Sequence, residues 1–381
     1  MLAFDIEDPG EFTVIAQFPN PTAATSHGSV GTLASGGTAV TLPFWANSGR
    51  GASPFAAVKN IELTTSRQLS LSHVDVVLIS EKLARAGIGP VLEFFLRHPE
   101  LRLISEVAVV QGDMRALLES EFPLEPNPGL GLLGMLEYVR NQQSQIPRGQ
   151  LLDKLRIISF PGIDPAFIRV IVLQTPEAGQ QAEQRSTDGT PIPKPALKVH
   201  GSAVFDDDKT VGWFDAAESL GVNWVLGHVS RAVLTVESPQ GGLVSLELKQ
   251  GGCGIRYTVS GNSITMTATI EVLARVQDVV KESVPGGHPA FDPEDTAVIQ
   301  SIADRAAEAI RNDIEHAIAK AKQLGVDVFG FGNTIYRKEP QVWNEIVKGR
   351  WDEFFKALDV NIEVEVNLRR TGLTARSIIP R

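Results

Sequence analysis

The sequence predicts a mixed protein, α/β in its first part and α+β in its last, organised as three domains. Three observations carry that prediction. Short apolar runs alternate with helical patterns near the amino terminus, the arrangement in which helices cover a mixed or parallel sheet. Strict period-two alternation fills "LVSLELK", "IRYTVSG" and "SITMTATIEVLARV" between residues 243 and 276. One long amphipathic pattern then runs to Gly325, long enough to lie across a whole sheet.

The elements follow in order. "FTVIAQF" (12–18) reads as a strand entered through a turn at 8–10. Ser53 is placed to cap a helix that opens at Pro54 and carries Ala57, Val58 and Ile61 on one face. "VDVVLIS" (74–80) is a buried strand, "EKLARAGIGPVLEFFLRHPE" two short helices broken at 87–90, and "LRLISEVAVV" another strand. A proline cluster at 121–128 marks the end of a first domain, 1–121, with a mixed sheet. A smaller α/β domain, 122–229, holds a strand from Phe167 and a hairpin turning at 206–208 in "FDDDK", whose acids read as a solvated tip. The polar, proline-rich 174–196 is either an interdomain linker or a long loop between paired strands.

The third domain, 230–381, is expected to be an antiparallel sheet with long helices on one face. Val244, Leu246 and Leu248, then Ile255, Tyr257 and Val259, then Ile264, Met266, Ala268 and Ile270 share that face, with a turn at 260–263. The long helix is expected to be capped by Asp292, opened by Pro293 and ended by Gly325. Val298, Ile302, Ala306, Ile310, Ile314, Ala317, Ala321 and Leu324 form its stripe. A last strand, "NIEVEVNLRR", turns Ile362, Val364, Val366 and Leu368 inward.

Composition narrows the function. The 381 residues are 43% hydrophobic and 21% charged, the balance of a folded rather than a disordered chain. A net charge of -10 without a basic run excludes binding to nucleic acid by counterion release. No apolar run approaches the roughly 20 residues of a spanning helix. A lone cysteine, Cys253, excludes an internal disulfide and a cysteine-rich zinc site. The abrupt, strand-like opening "MLAFDIEDPGEFTVIAQF" implies a chain trimmed of its native start, with Met1 added.

Candidate chemistry is sparse. "GSVGTLASGG" (28–37) lacks the Lys-Ser/Thr pair and the following helix of a phosphate loop, and reads as a surface loop. Cys253 in "GGCGIRY" falls where a turn between strands is expected, with no helix terminus to activate it. His27, His73, His98, His200, His228, His288 and His316 are scattered without metal-ligand spacing. No catalytic, cofactor-binding or metal-binding residue is therefore expected. The densest stretch, "DVFGFGNTIYRKEPQVWNEI" (327–346), reads as a folded connector. Gly330 and Gly332 would turn the chain after a strand "VDVFGF". Pro340 would open a short helix with Trp343, Ile346 and Val347 inward, in one cluster with Trp351, Phe354, Phe355 and Leu358. Tyr336, Arg337 and Lys338 remain as a possible contact surface.

Four stretches carry a resemblance. "SGRGASPFAAVKNIELTTSRQLSLSHVDVVLISEKLARAGIGPVLEFFLRHPELRL", "GSAVFDDDKTVGWFDAAESLGVNWVLG", "DVFGFGNTIYRKEPQVWNEI" and "EVEVNLRRTGL" occur in that order. Together they resemble the Ger(x)C family of spore germination lipoproteins, the C subunits of spore germinant receptors. The resemblance implies a three-domain α/β and α+β protein with no enzymatic activity and no cofactor. It also implies secretion through a signal peptide and a lipid (palmitate) on an N-terminal cysteine, which is not among these residues. The protein would sit on the outer surface of the spore inner membrane, with integral-membrane A and B subunits as partners in nutrient sensing. Two readings compete with it: a secreted nutrient-binding protein with a ligand between its domains, and a hydrolase using Cys253. With no amino-acid-gripping motif in view, no binding of an amino acid or sugar germinant is expected.

Overall fold

Strands that alternate between two apolar faces need cover on both sides, and the amino-terminal half of the chain supplies helices to each. The computed structural model describes residues 1–19, 44–173, 184–185, 191–192, 196–280 and 295–369, apart from 8–9, 66–67, 121, 123, 126, 262 and 348. Its larger sheet has eight strands: β1 (Leu2–Ile6), β2 (Phe12–Pro19), β3 (Phe44–Gly51), β4 (Val76–Ser80), β5 (Glu106–Gln111), β6 (Ala166–Leu173), β9 (Ala196–Asp206) and β10 (Lys209–Phe214). They lie in the order β10-β9-β6-β5-β4-β1-β2-β3. The central β6, β5, β4 and β1 are parallel, and antiparallel strands extend both edges.

Leu2, Phe4, Val77, Ile79, Val107 and Val109 point to one core, under α1 (Pro54–Glu62), α2 (Glu81–Ala86) and α3 (Gly89–Arg97). Their neighbours Ala3, Val76, Leu78, Ala108 and Val110 point to the other, under α4 (Met114–Leu118) and α5 (Pro128–Gln142). Helix α6 (Leu151–Ser159) returns to the first face through Leu151 and Leu155. The expected break between α2 and α3 lies at Gly87, whose φ of 128° closes α2. The division expected at 121/122 falls between β5 and β6, which pair within this one sheet.

Two further expectations are resolved here. Because β6 and β9 pair antiparallel and β9 begins at Ala196, 174–195 joins two paired strands, and its described parts are β7 (Gln184–Arg185) and β8 (Pro191–Ile192). The hairpin tip is not simply solvated. Asp208 accepts the Gly89 N–H on its carboxylate at 2.9 Å and the Ile88 N–H on its carbonyl at 2.9 Å. Ile88 occupies the cap position of α3 and has no side-chain acceptor, so an acid from a distant hairpin satisfies the free N–H groups.

Helix α7 (Ala216–Leu226) starts in a capping box between Asp215 and Glu218 and buries Val222 and Trp224 in a third core. That core continues beneath a four-stranded sheet, β11 (Ala232–Glu237), β12 (Leu243–Ser260), β13 (Ser263–Val280) and β14 (Asp359–Arg369). Helix α8 (Thr296–Leu324) covers it, and its 29 residues span about 43 Å. The stripe from Val298 to Ala321 meets Ile264, Met266, Ala268 and Ile270 as expected. Asp295 caps α8 by accepting from Ala297 and Val298; the expected Asp292 and Pro293 lie outside the described residues, and Gly325 ends it at φ 78°.

The small sheet departs from expectation in two places. It is antiparallel only as far as β13, and β14 runs parallel to β13. The return along α8 brings the chain back to the end from which β13 started, so the connection is a β-helix-β crossover. The turn expected at Cys253 is absent as well. β12 runs through it, a bulge between Gln250 and Gly252 absorbs the glycines, and Cys253 pairs with Ile270 on an exposed stretch.

Candidate functional site

The connector meets the larger sheet at one junction, and a buried acid organises it. Residues 326–330 form a turn rather than the expected strand, because the Asp327 side chain competes for backbone N–H groups that a strand would need. Asp327 is 1% exposed. Its Oδ1 accepts from Phe329 and Gly330 at 3.1 and 2.9 Å, and its Oδ2 from Gly332 at 2.8 Å. Gly330, at φ 72°, supplies the left-handed step that launches α9 (Phe331–Lys338).

The same turn is zipped to the loop between α6 and β6. The Asp327 N–H donates to the Asp164 carboxylate at 2.6 Å, and the Asp164 N–H donates to the Asp327 carbonyl at 2.9 Å. Asn333 donates its backbone N–H to the Gly162 carbonyl at 2.8 Å and its side chain to the Pro161 carbonyl at 3.2 Å. A second clamp lies nearby. Asn223 of α7 donates to the carbonyls of Ser144 and Ile146 at 2.7 and 2.8 Å, and the Ser144 hydroxyl donates to the Arg231 carbonyl at 2.8 Å.

After α9, the helical turn α10 (Pro340–Val342) runs into a π-turn, Trp343–Val347, followed by α11 (Trp351–Ala357). Trp343, Val347, Trp351, Phe355 and Leu358 are buried and Phe354 is half-buried; Ile346 lies outside the described side chains. Tyr336, Arg337 and Lys338 are exposed on the last turns of α9.

Beside this zipper opens a crevice of about 320 Å³, walled by α6 and the 163–166 segment on one side and by α7, Val328 and α9 on the other. Lys154, only 3% exposed, reaches it from α6. Its ammonium donates to the Ala166 carbonyl at 2.5 Å and stands 5.6 Å from the Phe167 ring centroid. Burial lowers its pKa to about 8. His228 is held down to about 4, first by burial and then by Arg148 and Lys154. Burial pushes the carboxyls of Asp164 and Asp327 up to about 7, although Asp327 is opposed by its backbone N–H donors.

Cys253 lines an adjoining crevice of about 530 Å³ with Gly330, Thr334 and Lys338, and among the described residues neither a histidine nor a carboxylate lines it. The five described histidines stand apart, and His27, His288 and the 28–37 loop lie outside the described residues. Among the described residues no three His, Cys, Asp or Glu side chains converge as a metal site. No helix among them is long and apolar enough to cross a membrane. Sequence reasoning missed the crevice because its ionisable groups come from 148–156, 164, 228 and 337, and no local pattern links them.

The paired acids give stability a pH signature. Their folded pKa of about 7 lies above the unfolded value near 3.8, so the native state holds protons that the unfolded chain releases. The stabilisation is fully present below about pH 4 and is lost as pH rises to about 7. His228 acts in the opposite sense between about 4 and 6.5, so a variant is needed to isolate the acids. Asp164→Asn keeps an acceptor for the Asp327 N–H, and should lose less stability than the parent between pH 5 and 7.5 in urea titrations. An identical loss in both proteins would count against the protonated pair.

Comparison with known proteins agrees with this architecture. The family model "Spore germination protein N-terminal domain" matches residues 1–172, and "Spore germination B3/GerAC like, C-terminal" matches 200–372. Spore germination protein KC of Bacillus subtilis (strain 168) is 25% identical over 323 residues, covering 83% of this chain and 76% of its own. Spore germination protein B3 of the same organism is 20% identical over 308 residues, covering 80% and 75%. The crystal structure of the GerBC protein superposes with a TM-score of 0.58 over 97% of this chain and 96% of that one, at 17% identity, a likeness of fold. The two family models divide the chain between β6 and β9, at the excursion inside the larger sheet. With both halves matched in sequence order and the fold shared along its length, the chain belongs to the Ger(x)C family of spore germination proteins.

Proposed function

We propose that this chain is the non-enzymatic C subunit of a nutrient-sensing spore germinant receptor. It is anchored by an N-terminal lipid to the outer surface of the spore inner membrane and works through contacts with the membrane-embedded A and B subunits. The observation that carries the reading is the match of both family models, to residues 1–172 and 200–372. The names of these relatives concern spore germination and state no reaction. The position of Cys253, on an exposed strand with no base in its crevice, favours a binding role over a chemical one. A single acyl chain binds a membrane only marginally, so contacts with integral partners would share the anchoring.

Deletion of the gene tests the reading. Spores without it should lose their response to at least one nutrient in a panel of amino acids and sugars, and the wild-type gene should restore it. A Cys253→Ser gene should restore it equally. Unchanged nutrient germination after deletion overturns the receptor role. Failure of Cys253→Ser at normal abundance would return chemistry to the thiol.

A further inference from the structure

The junction crevice gathers more positive charge than its surroundings neutralise. Arg148, Lys154, Arg156 and Arg337 line it against two acids, Asp153 and Asp164, in a chain whose net charge is -10. Several arginines elsewhere meet carboxylates, among them Arg50, Arg85, Arg140 and Arg350, at 2.7, 2.7, 2.8 and 3.2 Å. The side chains of Arg148, Arg156 and Arg337 make no hydrogen bond or ion pair to any described residue. Lys154 is buried, and its one hydrogen-bond acceptor is a neutral carbonyl. Burial first, and then Arg148 and Lys154, lower the His228 pKa, so two of these cations also face His228.

The remaining wall is apolar, built from Ile157, Ile163, Val222 and Leu226. A volume of about 320 Å³ suits a small ligand or a few side chains of a peptide, at the lower end of the roughly 300–1,000 Å³ typical of ligand pockets. Guanidinium groups beside an apolar wall complement an oxyanion carried on an apolar group, and a carboxylate is the smallest such group for a crevice of this volume. We propose that this crevice binds such a carboxylate, held by Arg148, Arg156 and Arg337 with its apolar part against Ile157, Ile163 and Leu226. The occupant touches α6 of the larger sheet and α7 and α9 of the smaller unit together, so binding braces the junction. The carboxylate belongs either to a free organic acid or to an acidic residue in an apolar segment of a partner.

The test uses the whole chain with three probes: hexanoate, hexanamide as its uncharged counterpart, and a capped Leu-Glu-Leu tripeptide. Hexanoate or the tripeptide should raise the melting temperature saturably at concentrations of about 1 mM, and hexanamide should not. Arg337→Glu and Arg156→Glu alter exposed side chains and should leave the unliganded melt unchanged while weakening binding at least tenfold. Tighter binding of hexanoate assigns the site to a free acid, and tighter binding of the tripeptide assigns it to a partner segment. The proposal is overturned if neither charged probe binds, if hexanamide binds equally, or if both charge reversals leave the affinity unchanged.

Discussion

Gly332→Val should destabilise the protein by about 3 kcal/mol or more, the upper end of what overpacking costs in a filled core. The reason is space. A Cβ on Gly332 would lie 2.5 Å from Cε2 and 2.7 Å from Nε1 of Trp351, and 2.8 Å from the Gly162 Cα. Gly162 is as tightly held, at φ 71° with the site of its own Cβ 2.7 Å from the Gly332 carbonyl carbon. The two backbones therefore touch, and neither can withdraw without breaking the bond from the Asn333 N–H to the Gly162 carbonyl. Sequence reasoning gave Gly330 and Gly332 one role, turning the chain; the structure separates them, with positive φ at Gly330 and close packing at Gly332. The left-handed region costs a non-glycine residue roughly 1–2 kcal/mol, so Gly330→Ala should be the milder of the two changes. Urea titrations of both variants decide the order. A Gly332→Val protein within about 0.5 kcal/mol of the parent, the range of an ordinary surface change, would mean that the junction opens freely.

How far the sequence foretold this junction depends on the range over which each signal acts. Helix α8 was legible because Val298, Ile302, Ala306 and Ile310 recur at the helical period, and burial follows that period. The strands β4 and β5 were legible as short continuous apolar runs, because a sheet covered on both faces buries every position. Direction was not. Ile362, Val364 and Val366 specify a face of β14 but say nothing of which way it runs, and only the return along α8 sets that. Local polarity misled at Asp327, where apolar neighbours suggested a strand and one carboxylate turned the chain. It misled again at Cys253, where glycines that suggest a turn are absorbed by a bulge. The crevice was the least legible. Arg148, Arg156 and Arg337 each look like part of a solvated surface until tertiary structure brings α6 and α9 together.

The connector's aromatics did read correctly as core, and Trp343→Ala should therefore cost about 3–5 kcal/mol. Trp343 is 5% exposed, with its ring edge-on to Tyr336 at 5.7 Å and tilted against Trp351 at 6.0 Å between centroids. Its Cη2 also closes the space beside Gly162, where an added Cβ would stand 2.8 Å away. The indole thus fills the gap between α9, α11 and the 160–165 loop, and its loss removes burial from all three at once. The neighbours have little freedom to collapse into the cavity, because Trp351 is already packed against Gly332 and Phe355. Trp343→Phe keeps much of the ring and should cost less than half as much. A surface role for the motif predicts the opposite, with both variants melting like the parent. If Trp343→Ala instead unfolds at lower urea in the same cooperative step as the rest of the chain, the stretch from 327 to 346 is part of what joins the two sheets.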